Sequence, residues 1–158
     1  MTERLPGNAT TDFGAPAVPP RADGRPLSDA ELDRLRALLG AGWRAFDRAV
    51  EAARGHRLRA GPRGGGRSVD AIVRHVRDAE AGYLSGLGWR FRPPPSDDER
   101  AKLERTRQAV LEGLAASARG EIPAKGPRGG VRWKPRFFVR RLAWHTLDHL
   151  WEIEDRME

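Results

Sequence analysis

The sequence predicts an all-α protein: a four-helix bundle preceded by a flexible Pro/Gly-rich leader. Three observations carry this reading. Four segments of roughly 20 residues repeat apolar side chains at helical spacing. Stretches containing glycine or proline separate them. No segment sustains the period-two alternation of a half-buried strand, so a β architecture fails. A chain of 158 residues, 39% apolar and 32% charged, suits one domain with a genuine core and a solvated surface.

The leader, residues 1–27, carries Pro6, Pro16, Pro19, Pro20 and Pro26 with Gly, Thr and Asp between them. Such a segment is disordered or draped over the domain. The bundle is expected over 28–158. Ser28 and Glu31 form a capping box that opens the first helix, whose inward stripe is Leu32, Leu35, Leu39, Phe46 and Val50. A glycine-rich loop over 55–67 follows. Ser68 opens the second helix, with Ile72, Val76, Ala79, Tyr83 and Leu87 inward; Gly88 and Pro93-Pro94-Pro95 end it. Ser96-Asp97-Asp98-Glu99 reads as another capping box, starting a third helix with Leu103, Val110, Leu111, Leu114 and Ala118 inward. A second Gly/Pro loop covers 120–135, and the fourth helix runs from about Arg136 to Met157. The loops at 55–67 and 120–135 exceed the 2–8 residues usual in simple bundles, which points to a crossover topology.

Composition excludes several chemistries. With 0 Cys, there is no disulfide, cysteine nucleophile, thiolate metal site or iron–sulfur cluster. No apolar run reaches the roughly 18 residues of a membrane span, and residues 1–26 hold no secretory apolar stretch, so a cytoplasmic location is expected. The formal net charge is +7, and lysine occurs only at 102, 125 and 134, so arginine dominates the basic residues. A basic chain attracts anions, which keeps nucleic acid among the possible partners. The arginines are nevertheless spread along the chain rather than gathered in one segment.

Of the four histidines, His56 falls in a loop and the other three on helices. His145 and His149 are i and i+4, stacked on one face of the fourth helix, a spacing that lets two imidazoles share a metal ion. His75 lies at the margin of the second helix's apolar arc, beside the small residues Ala71, Ala79, Gly82 and Gly86. The bland alternative is three structural histidines, each hydrogen-bonded at the edge of the core. The metal reading gives a three-histidine site with open positions, the pattern of catalytic rather than closed structural sites. Zinc, nickel and iron all suit imidazole.

The segment Arg141-Leu-Ala-Trp-His-Thr-Leu-Asp-His-Leu-Trp-Glu-Ile-Glu-Asp155 resembles the last helix of the DinB-like (DinB/YfiT-like) superfamily, and Ile72-Val-Arg-His-Val-Arg-Asp-Ala-Glu80 resembles its second helix. The resemblance covers about residues 28–158. It implies a four-helix bundle with a crossover connection and a divalent-metal site of three histidines, at positions that match His75, His145 and His149. It also implies, for some members, thiol-dependent transferase or isomerase chemistry with a low-molecular-weight thiol such as mycothiol or bacillithiol. The shared motif is short and speaks to fold more than to reaction.

Two carboxylates are candidates for catalysis. Glu80 sits near the centre of the second helix's apolar arc, either as a buried ion pair with an arginine or as a general base. Glu152 flanks the histidine pair and could orient an imidazole or take a proton. Asp148 reads as a solvated surface acid. Gly61-Pro-Arg-Gly-Gly-Gly-Arg67 and Gly126-Pro-Arg-Gly-Gly-Val-Arg132 repeat one pattern, each before a His-bearing helix. Arg63, Arg67, Arg128 and Arg132 are therefore candidate grips for the carboxylates of a cofactor or for phosphates; flexible loops of biased composition are the plain alternative. Trp144, Leu147 and Trp151 form a second apolar stripe on the fourth helix, suited to packing under the leader or to a homodimer contact.

Two functions stand on this sequence. One is a divalent-metal-dependent enzyme acting on a small molecule by thiol transfer or hydrolysis, its thiol supplied from outside. The other is a basic helical bundle that binds nucleic acid or another anionic partner around a structural histidine cluster. No helix-turn-helix or other DNA-reading motif favours the second.

Overall fold

The computed structural model describes residues 3–60 and 66–158. Four long helices form a bundle: α1 (Asp29–Ala52), α2 (Val69–Leu87), α3 (Glu99–Ala118) and α4 (Pro135–Arg156). Among the described residues the only β pairing is two isolated bridges, and no helix is long and apolar enough to cross a membrane.

The helix boundaries follow from local chemistry. Ser28 accepts from the Glu31 amide while the Glu31 carboxylate accepts from the Ser28 amide, closing the expected capping box. The Ser68 hydroxyl accepts from the Ala71 amide at the start of α2. Gly88 ends α2 in the left-handed region at φ 95°, where a side chain would be strained. For α3 the expectation needs correction. Asp98, not Ser96, is the N-cap and accepts from the Ala101 amide, and there is no capping box. Pro135 stands at the first position of α4, where a missing N–H costs nothing.

Around the bundle the order is α1, α4, α2, α3, with α1 packed along α4, α4 on α2 and α2 on α3. Glu31 and Arg136 pair near the starts of α1 and α4, and Ala49 and Ala53 share a core cluster with Leu150 and Ile153 near their ends. Those two helices therefore run in the same direction. Ile72 and Val76, at the start of α2, join the same cluster, so α2 runs the opposite way. Arg77 pairs with Glu99 at the first residue of α3, and Gly113 lies against Leu84, so α3 runs parallel to α2. The topology is up-down-down-up.

A parallel neighbour requires the chain to travel back along the bundle. The segment 88–98 does so in extended form, laying Phe91, Pro93 and Pro95 beside Arg77 and Ala81 of α2 and Thr106 of α3. The crossover expected from the two longest loops is thus real, but it is made by the shorter proline-rich connection. The other two connections, α1 to α2 and α3 to α4, each join adjacent ends of antiparallel helices, at opposite ends of the bundle.

The leader is draped from Ala15 onward. Asp23, 3% exposed, takes a two-pronged ion pair from Arg140 at 2.7 and 2.8 Å. Arg136 donates to the Pro26 carbonyl and Arg141 to the Pro16 carbonyl, each at 3.1 Å. Three arginines near the start of α4 thereby fasten the leader along that helix. Nearer the N-terminus, Ala9–Asp12 forms a single helical turn capped by Asn8.

Candidate metal centre

His75 from α2 and His145 and His149 from α4 converge. One ring nitrogen from each lies within 4.8 Å of the other two. Ring centroids are 5.1 Å apart for His75 and His145, 4.8 Å for His75 and His149, and 4.5 Å for the α4 pair. The one-turn spacing on α4 aligns two rings, and the packing of α2 on α4 delivers the third.

The protonation pattern favours lone pairs at the centre. Glu152 Oε2 lies 2.7 Å from His149 Nδ1, and its other oxygen accepts from Arg156 at 2.8 Å. An ionised Glu152 places the His149 proton on Nδ1 and turns the Nε2 lone pair inward. His149 Nε2 faces His145 Nε2 at 3.2 Å. Burial, with the neighbouring imidazoles, pushes the His145 pKa down to about 3, and burial also lowers that of His75. Both rings are then neutral at pH 7.

This arrangement fits a divalent cation, because two Nε2 atoms face one another with a third imidazole beside them. His145 Nδ1 is buried with no hydrogen-bond partner, an unpaired acceptor if the proton lies between the two Nε2 atoms and an unpaired donor if a cation takes its place, so the fit rests on the inward nitrogens alone. A neutral imidazole set is shared by zinc, nickel and iron and selects none of them.

His145 and His149 border a cleft of about 420 Å³ lined also by Tyr83, Arg141, Trp144, Asp148 and the leader residues Ala9, Thr10, Phe13 and Ala15. The Tyr83 ring stands edge-on to His145 at 5.6 Å. Sequence reasoning placed Tyr83 in the core and gave Arg141 no role. Their signal was spacing: 75, 79 and 83 form one stripe on α2, and 141, 145 and 149 one stripe on α4. The leader's part in the cleft had no local signal.

The remaining candidates disperse. Glu80 does not join the imidazoles. It lies about 140° around α2 from His75, is 1% exposed, and accepts from the Trp43 indole N–H at 2.7 Å. Its partner is thus an indole rather than the expected arginine; Arg107 pairs with Asp47 instead, at 2.8 Å through both prongs. Glu80 Oε2 is buried without a partner, and burial pushes the pKa up to about 7, against the pull of Arg107 and the indole.

Arg63 lies outside the described residues. Arg67 immediately precedes α2 near the imidazoles, and its carbonyl accepts from Arg156. Arg128 is exposed in the loop at the other end, and Arg132 clamps that loop by packing on Gly88 and donating to the Pro123 carbonyl. Arg67 and Arg132 stand at opposite ends of the 19 residues of α2, roughly 28 Å apart, so these two arginines do not meet at one small ligand. The aromatic stripe also divides. Trp144 lines the cleft beneath the leader, Leu147 packs on the core, and Trp151 remains 58% exposed. Asp148 is exposed at the cleft rim.

A family model described as the DinB superfamily matches residues 26–153. No curated protein matches the chain. No solved structure matches it either.

Proposed function

From the chain's place in the DinB superfamily, to which it belongs, we propose that it is a divalent-metal-dependent enzyme acting on a small molecule, by thiol-dependent transfer or hydrolysis. Family membership and the histidine cluster are together compatible with a metal-dependent protein. The observation that carries the proposal is the convergence of three imidazoles beside an open cleft. Closed structural sites use four protein ligands, whereas three ligands with an accessible face leave room for a reacting molecule.

His75, His145 and His149 would hold the ion, with zinc, nickel and iron the candidates. When bound, such an ion supplies a Lewis acid that makes water or a thiol a nucleophile near neutral pH. The protein's own residues prepare the site. Glu152 fixes the His149 tautomer and ring angle, and Arg156 holds Glu152 in place through its other oxygen. Tyr83 and Trp144 wall the cleft and limit water around the imidazoles. The chain has 0 Cys, so a thiol co-substrate of the mycothiol or bacillithiol kind would enter from outside. Glu80, sealed on another face of α2, has a structural part in this reading, and Glu152 acts through His149 as a positioning residue.

The test is metal content by mass spectrometry on untagged protein prepared without chelator, beside a His145→Ala/His149→Ala variant. About one transition-metal ion per chain, lost in the variant, is expected. Absence of metal, with no uptake of offered zinc or nickel, overturns the proposal.

A further inference from the structure

We propose that Arg141 is the docking point for the carboxylate of a small organic monoanion that lies in the cleft between α4 and the leader. This deepens the reading of the cleft as the substrate side of a metal centre, and it rests on that reading.

The first observation is an unspent charge. Its neighbours on α4 are all engaged: Arg136 with Glu31, Arg140 with Asp23 and Arg156 with Glu152. Arg141 has no carboxylate partner among the described residues. One Nη1–H is given to the Pro16 carbonyl, and its other N–H groups find no hydrogen-bond acceptor among those residues. They are not sealed in the core either, because Arg141 lines the cleft that His145 and His149 also border.

The second observation is that this guanidinium is held in place. It lies 5.6 Å from the Tyr83 ring centroid and 5.2 Å from that of Trp144, in a slot between two aromatic rings. A fork fixed in this way is suited to a carboxylate, which it meets through two parallel hydrogen bonds. The same rings, with Phe13 from the leader, offer an apolar wall for the body of a ligand.

The third observation is placement. Arg141 and His145 are one helical turn apart, about 6 Å along the axis. A molecule anchored by its carboxylate at Arg141 therefore sets its adjoining atoms over the imidazoles. Charge narrows the class further. Asp148, exposed two turns beyond Arg141 on the same stripe of α4, disfavours a second negative charge, so a monocarboxylate fits better than a phosphate monoester. A cleft of about 420 Å³ holds a small molecule rather than a polymer segment.

The experiment compares phenylacetate with its neutral isostere phenylacetamide, by calorimetry at fixed ionic strength, on the full chain free of metal and again loaded with zinc. Metal-free protein is expected to bind the acid at least about tenfold tighter than the amide, the scale of one charge-assisted hydrogen bond. Arg141→Gln should abolish the preference and Arg141→Lys keep only part of it. Arg48→Gln, which removes an exposed charge on α1, should leave it intact. Zinc stoichiometry and melting temperature of each variant report folding, and Arg141→Lys decides the matter if the glutamine variant does not fold. No preference for the acid, no binding of either probe, a preference that survives Arg141→Gln, or an equal loss in Arg48→Gln each overturns the inference. An Arg141-dependent preference in protein that takes up no zinc leaves the anion site standing and sinks the metal reading. Zinc uptake without the preference does the reverse.

Discussion

Helix α2 carries an ionisable side chain on each of two faces. His75 meets two further imidazoles at the floor of a cleft, and one of those is oriented by a carboxylate that an arginine holds in turn. Glu80 meets one indole N–H and is otherwise surrounded by core. Both arrangements leave a buried polar atom unpaired, His145 Nδ1 in the first and Glu80 Oε2 in the second. The difference lies in access and in number. Several converging donors beside open space can bind something from solution. A lone carboxylate in a closed core cannot, and its ionisation is pushed up toward neutral pH instead. A perturbed ionisable group therefore marks a functional site only where the surrounding geometry admits a ligand.

Three experiments separate these two regions. The largest effect is expected at Glu80. Its folded pKa of about 7 exceeds the ordinary carboxylate value of 4.5. Stability contributed by the protonated form is complete below pH 4.5 and is lost as pH rises toward 7, because the unfolded chain ionises first. The loss is on the order of 3 kcal/mol. Urea unfolding of Glu80→Gln from pH 4 to 8 should lack this decline, so that the variant gains on the parent protein as pH rises. Parallel pH profiles would mean that Glu80 is charged in the fold.

The next effect belongs to Glu152. Replacing it with glutamine keeps an acceptor near His149 Nδ1 but removes the charge. Zinc affinity should fall about ten- to hundredfold in a chelator competition, with little change in the melting point of the metal-free protein. Equal affinity would deny Glu152 any role in orienting the imidazole. The smallest effect is that of Trp43→Phe. At pH 5, where Glu80 is protonated, loss of the indole donor should cost about 1 kcal/mol and leave zinc affinity unchanged. A change in zinc binding would show that the two faces of α2 are coupled.

What the sequence disclosed follows the range of the interactions. The helices and the histidine trio were legible because capping and i,i+4 spacing are local, and Glu152 stands one turn from His149. Trp43 was missed because an indole among Leu39 and Phe46 reads simply as core, and its hydrogen bond spans 37 positions. Glu80 was recognised as costly to bury, but its partner depended on which helix lies across from α2. The repeated Gly-Pro-Arg loops suggested anion grips because linear similarity does not report position in space. Arg67 and Arg132 lie at opposite ends of α2, while the arginine facing the imidazoles lay unnoticed within α4.

The family match begins at residue 26, so the segment Ala9 to Ala15 that walls the cleft lies outside it. The imidazole cluster and one wall of the cleft beside it are thereby encoded in separate stretches of chain. Two of the imidazoles are spaced by the geometry of one helix and the third is delivered by the packing of α2 on α4. The strap over them is tied down mainly through Asp23 and the backbone carbonyls of Pro16 and Pro26, leaving positions 9, 10 and 13 free to vary. Replacing those side chains would reshape the cleft while leaving the three histidines and the core of the bundle undisturbed.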